Sequence, residues 1–251
     1  MDLSLTEEQK QIKALVRDFC KREVDQKRLH DILRKNDAAK TIEEIQRNWP
    51  QDLIEKAHRA GLHCIGIPTK YGGPGPDEQP NMAIAVALEE AGYSGGLVQQ
   101  DDLIIGPGFG LQAMRVNPYV SEEEREATYA KLLTYSTAIS AGTISEPAGS
   151  VDEHMPYDEG GNDILQVTAH KEGKMWVING DKMYSNKGAV ATMVGCMART
   201  KDGPISESMS DFLFPVNTPG VSRTLNKMIF TSFGGNAQFH YDLSLIHISE
   251  P

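Results

Sequence analysis

Apolar residues recur at helical spacing through the first half of the chain and alternate with polar ones through the second. Ile12, Leu15, Val16, Phe19 and Val24 share one helical stripe, and Thr6 with Gln9 forms a capping box ahead of it, which predicts a helix over residues 7–25. Residues 26–48 are polar with weaker periodicity. Ile32, Leu33, Ile42 and Ile45 could dock a short helix or a pair, so the stretch reads as mixed loop and helix. Pro50 suits a first helical position, Leu53, Ile54, Ala57 and Ala60 form a buried face behind it, and Gly61 is placed to stop that helix. An alanine-rich helix follows over residues 81–91, with Gly92 expected as its C-terminal cap. Glycines at 95, 96, 106, 108 and 110 then interrupt an otherwise apolar segment, which reads either as space left for a ligand or as a loosely packed helix-loop-helix. Ser121, followed by Glu122, Glu123 and Glu124, starts a further helix that leads to Leu132 and Leu133, since acidic groups suit a helix N-terminus.

Beyond residue 138 the period shortens to two. Leu165, Val167 and Ala169 alternate with Gln166, Thr168 and His170, and Glu172-Gly173-Lys174 turns the chain into Met175–Ile178, which predicts a β-hairpin. Asn179-Gly180 reads as a second tight turn. Short apolar runs follow at 193–198, 212–216 and 239–241. Helices followed by strands, rather than alternating with them, predict an α+β chain: an all-helical domain over residues 1–137, then a small β-barrel or sandwich domain over 138–242.

Composition narrows the function. A chain of 251 residues at 39% hydrophobic can bury a core in one large or two ordinary domains. A formal charge of −10 with no basic patch argues against nucleic-acid and anionic-membrane partners. Cys20, Cys64 and Cys196 are scattered and odd in number, which points to a reducing compartment, and the charged N-terminus without a signal-peptide or membrane-length apolar run makes a cytoplasmic protein the expectation. His58 and His63 stand five apart, off a common helical face, so no metal site is expected.

Four motifs carry candidate chemistry. Ser140–Val151 packs small residues, hydroxyls and Glu146-Pro147 into a junction loop, where Gly142 and Gly149 permit close backbone approach and Ser145 and Ser150 offer hydroxyl donors. The others are Pro68-Thr69-Lys70-Tyr71-Gly72-Gly73, Ile178-Asn179-Gly180-Asp181-Lys182-Met183-Tyr184-Ser185-Asn186, and Phe233–Asp242. In their order along the chain they resemble the acyl-CoA dehydrogenase family, over roughly residues 1–242. The first loop resembles the family's Ser/Thr-Glu-Pro…Gly-Ser signature with one residue fewer between Pro and Gly-Ser. The resemblance stops at Leu243, and residues 243–251 look like a non-native tail.

The resemblance implies an FAD enzyme that dehydrogenates an acyl-CoA thioester at its α,β-bond to the enoyl-CoA. It implies flavin contacts from Gly142, Thr143, Ile144, Ser145, Ser150, Tyr184 and either Ser185 or Asn186, with Ser150, Gln99 and Gly108 toward the acyl-CoA. It further implies electron-transfer flavoprotein or a similar acceptor, and a homodimer or homotetramer for the full-length protein. The family's C-terminal helical bundle, which supplies the glutamate base in most members, has no match in these residues, so the catalytic base is unassigned and the chain as given is expected to be inactive. An acyl-CoA oxidase of the same fold and a non-catalytic acyl-CoA-binding module are the competing readings.

Overall fold

The computed structural model describes residues 4–78, 80–95, 120–134, 139–149, 165–229 and 233–247. They divide into two compact units, one formed by residues 1–37 with 48–138 and the other by 38–47 with 139–251. The exchange of residues 38–47 is absent from the expected boundary at 137/138.

The first unit is helical. Helix α1 (Glu7–Glu23) opens on the predicted capping box, with Gln9 N donating to Thr6 Oγ1 at 3.2 Å and Thr6 N donating to Gln9 Oε1 at 3.1 Å. Ile12, Val16, Phe19 and Cys20 form its buried face, while Leu15 lies outside it. The polar stretch after α1 resolves into α2 (Gln26–Ala38) and α3 (Ile42–Asn48). Helix α4 (Gln51–Arg59) starts one residue after Pro50, which serves as N-cap, and ends ahead of Gly61 at φ 77°. Helix α5 (Pro80–Gly95) runs through Gly92 instead of stopping there, because Gly92 keeps a helical backbone. It packs against α1. Arg17 holds Glu90 through two bonds of 2.9 Å, and that pairing keeps the buried Glu90 carboxyl below the usual carboxylate range. Helix α6 (Glu122–Thr134) is capped as expected by Ser121, and Glu124 returns a bond to the Ser121 N–H at 2.9 Å.

The Tyr-Gly-Gly loop explains its own glycines. A Cβ on Gly73 would fall 2.1 Å from the Ile67 carbonyl oxygen, and one on Gly75 would fall 2.2 Å from that of Ile65. Tyr71 meanwhile packs beside Tyr129 of α6, ring centroids 4.9 Å apart.

The second unit is a mixed sheet of seven described strands: β1 (Ser140–Thr143), β2 (Thr168–Glu172), β3 (Met175–Asn186), β4 (Met193–Arg199), β5 (Met209–Pro215), β6 (Val221–Asn226) and β7 (Asn236–His247). Their order is β1-β4-β2-β3-β7-β6, with β5 on β4, and a short helix α7 (Ile205–Ser208) precedes β5. Strands β2 and β3 make the predicted hairpin, with Gly173 at φ 61° in its turn. Asn179-Gly180 makes no turn. Strand β3 runs straight through it, since Gly180 pairs with Tyr241 and absorbs a register shift at φ 129°. Strand β7 also continues past Asp242, pairing residues 244–247 with 175–178, inside the stretch that the sequence set aside as a tail. Val167, Ile178, Val194, Phe212, Phe214 and Phe239 lead the core on the inner face. Helix α3 joins this unit through Gln46, whose Nε2 donates to the Ala189 carbonyl at 2.9 Å.

Candidate functional site

Strand β1 lies parallel to β4, which pairs Gly142 with Gly195 and delivers the chain into a tight turn. Glu146 N donates to Gly149 O at 2.8 Å and Gly149 N to Glu146 O at 3.3 Å, leaving Pro147 and Ala148 exposed at the tip. The end of β3 runs alongside. Ser185 Oγ donates to Gly142 O at 2.7 Å, Lys182 Nζ to Ile144 O at 2.6 Å, and Met183 N to Ser145 O at 2.7 Å. Two motifs distant in sequence thus form one edge of the unit.

The expected contact residues divide between the two sides of that edge. Thr143 is buried, its hydroxyl donating to Gly195 O at 2.9 Å and lying 2.9 Å from the Tyr241 hydroxyl, so its side chain belongs to the sheet interior. Ser185 is buried as well. Tyr184 and Asn186 are exposed, while Gly142, Ile144 and Ser145 are half-buried. Strand β3 carries one extra residue against β7 between Lys182 and Ser185. Tyr184 sits in this bulge at φ 58° and is 53% exposed, so the local irregularity turns the residue away from the core. Gln99, Gly108 and Ser150 lie outside the described residues.

The reading of the sequence missed the group beneath this edge. Glu146 and Lys182 are both 0% exposed, with Lys182 Nζ 2.7 Å from Glu146 Oε1. The second carboxylate oxygen accepts the N–H groups of Gln166 and Val167. One buried ion pair therefore ties the turn, β3 and the approach to β2 together. The available signal was a lysine at an inward position of a strand, which needs a buried counter-charge, and a glutamate in the only Glu-Pro loop nearby. Its engagement removes Glu146 from consideration as a proton-abstracting base. Around the pair, burial raises the Asp211 carboxyl, with Lys182 opposing, and raises the Cys196 thiol to about 11. Burial also lifts the Tyr241 phenol well above its ordinary value. The thiol and the phenol thus stay protonated at neutral pH.

The turn after β3 is held from two directions. Arg223 Nη1 donates to Gly188 O at 2.7 Å and to Ala191 O at 3.2 Å, and Gln46 takes Ala189 O. Lys187 at φ 60° is the other described non-glycine residue with a left-handed backbone. Tyr184 in the bulge and Lys187 in the turn lie three positions apart, and sparsely populated backbone of this kind clusters at functional sites.

The donor set suits a flat, neutral, heteroatom-rich ring. A hydroxyl at Ser145, a carboxamide at Asn186 and an outward aromatic face at Tyr184 can serve ring carbonyls, ring nitrogens and a π-surface, which is what an isoalloxazine presents. Among the described residues no group of His, Cys, Asp and Glu could hold a metal ion, and no helix is long and apolar enough to cross a membrane.

Comparison with known proteins gives a consistent set of relatives. The family model described as acyl-CoA dehydrogenase, N-terminal domain, matches residues 6–134. The probable acyl-CoA dehydrogenase YngJ of Bacillus subtilis is 30% identical over 229 residues, covering 89% of this chain and 52% of the relative. The short-chain-specific acyl-CoA dehydrogenase of Clostridium acetobutylicum is 27% identical over 222 residues, covering 88% and 51%. Among solved structures, a glutaryl-CoA dehydrogenase from Mycobacterium smegmatis in complex with FADH2 superposes with a TM-score of 0.67 at 20% identity, over 97% of this chain and 54% of that one. The chain spans about half the length of the curated relatives it matches.

Proposed function

The chain belongs to the acyl-CoA dehydrogenase family, and on that premise we propose that its second unit holds FAD in an enzyme that dehydrogenates an acyl-CoA thioester to the enoyl-CoA. The observation that carries the reading is the edge where Tyr184 and Asn186 face outward beside half-buried Ser145 while Thr143 and Ser185 turn their hydroxyls inward. Ser145 donates to the ring, Asn186 offers an amide to a ring carbonyl, and Tyr184 lies against the ring system. The bound flavin supplies the acceptor for the β-hydrogen, while the protein contributes orientation and electrostatics. The carbonyls of Gly142, Ile144 and Ser145 are all engaged by β3, which fixes the backbone of this edge. The names of the relatives support an acyl-CoA substrate; electron-transfer flavoprotein or a similar acceptor, and a homodimer or homotetramer for the full-length protein, belong to the same proposal.

The test is direct. FAD added to the purified chain should lose fluorescence on binding, and the occupied full-length protein should bleach with an acyl-CoA under anaerobic conditions. Rapid reoxidation in air with peroxide would favour an oxidase, and occupancy by acyl-CoA without flavin would favour a binding module.

A further inference from the structure

The ion pair under the edge does more than join strands. No peptide bond among the described residues is cis, and a trans peptide points its C=O and N–H to opposite sides. Lys182 Nζ takes the Ile144 carbonyl at 2.6 Å, on the buried side, so the next N–H, that of Ser145, is directed to the opposite side. Met183 N takes the following carbonyl, Ser145 O, at 2.7 Å. Two consecutive carbonyls of the loop are thus held by β3, one by the Lys182 side chain and one by the Met183 backbone.

We propose that Lys182, with its charge balanced by Glu146, is the positioning residue of the flavin edge: it pins the Ile144 carbonyl inward and so turns the Ser145 peptide N–H toward the ring. This rests on the flavin reading above and adds to it a residue that touches no ligand. A charged donor on a carbonyl gives a stronger and more directional bond than a neutral one. Buried ion pairs contribute little net stability against apolar replacements, and some are kept for the single conformation they enforce. Here Glu146 also receives the Gln166 and Val167 N–H groups, so the anchor is tied to backbone on its far side.

Two variants of the chain separate positioning from mere support. In Glu146→Gln with Lys182→Met, the amide oxygen still accepts from residues 166 and 167 and no buried charge is left, so the protein should lose only the stability that one stranded carbonyl costs. The Ile144 carbonyl loses its donor. FAD affinity, followed by fluorescence quenching, should then fall about tenfold, the value of one good hydrogen bond, and the visible bands of bound flavin should move toward those of free flavin. In Glu146→Gln alone, Lys182 still donates to Ile144 but lacks its counter-charge, so this variant should be the less stable of the two and keep affinity within about threefold of the parent. Affinity and stability should therefore rank the two variants in opposite order. A double variant that binds FAD with parental affinity and spectrum overturns the proposal. So does affinity that falls in step with stability in Glu146→Gln, a result that can be read even if the double variant does not fold. A parent chain that binds no FAD overturns the flavoprotein reading itself, and this one with it.

Discussion

Ser185 donates its hydroxyl hydrogen to the carbonyl of Gly142 at 2.7 Å, joining the end of β3 to β1 across 43 positions of sequence. Hydroxyl and carboxamide stand side by side here, at Ser185 and Asn186, yet only the carboxamide faces out. Ser185→Ala should cost about 1–3 kcal/mol of folding stability by stranding a buried carbonyl, with flavin affinity lowered only as far as the edge loosens. Asn186→Ala should do the reverse, lowering affinity with stability nearly unchanged. Urea unfolding and flavin titration on both variants check the pair.

Ser145 stands on the same edge, half-buried. Ser145→Ala should weaken FAD binding by about 1–3 kcal/mol, because a polar ring atom is left without its partner. Fluorescence titration measures it, and unchanged occupancy with an unchanged flavin spectrum would remove Ser145 from the site.

Tyr184 combines an exposed ring with a left-handed backbone. A glycine there relieves a conformation that costs other residues about 1–2 kcal/mol, so Tyr184→Gly should raise the unfolding free energy by roughly that amount, less what glycine gains in the unfolded state. The same change removes the aromatic face and should lower flavin affinity. A variant that is more stable and binds less well is the expected outcome, and one that binds equally well would make the ring incidental.

Gly75 donates to Ile67 O at 2.8 Å and leaves no room for a side chain. Gly75→Ala must push the backbone off Ile65 and should destabilise the helical unit by about 1–3 kcal/mol, in the range of overpacked cores. Thermal unfolding followed by far-UV circular dichroism would register the loss.

Asp52 is held at about 2, below its ordinary 3.8, by the Arg28 guanidinium, with burial opposing. A depressed carboxyl stabilises the fold above its unfolded value and loses that contribution as pH falls through the folded one. The Arg28–Asp52 contribution should thus be intact above about pH 4 and fade toward pH 2. Both side chains are about half exposed, so solvent screening limits the effect to a few tenths of a kcal/mol. The stability difference between the parent and Asp52→Asn, measured at neutral pH and near pH 3, should shrink at the lower value.

Local signals carried the sequence reading far. The Thr6–Gln9 box, Gly61 and the Gly173 turn were legible because each depends on residues within a few positions of one another. Gly92 and Asn179-Gly180 misled for a common reason: glycine permits a break without requiring one, and packing of α5 and pairing of β3 with β7 decided against it. At the site, the motifs located the edge, but residue type could not say which hydroxyl faces inward. Thr143 and Ser185 are claimed by Gly195, Tyr241 and Gly142, all distant in sequence. The Glu146–Lys182 pair escaped for the same reason, since neither residue has a local partner that would mark it as buried.

Helix α3 has a consequence for the order of synthesis. Ile45 and Gln46 leave the ribosome long before Ala189 and Gly235, the residues they meet. A chain that folds as it emerges can complete neither β sheet nor docking site when α3 appears, so this segment must wait, uncommitted, until most of the second unit exists. Slowing translation late in the message would lengthen that wait, and Ile45 would be the apolar residue left exposed during it.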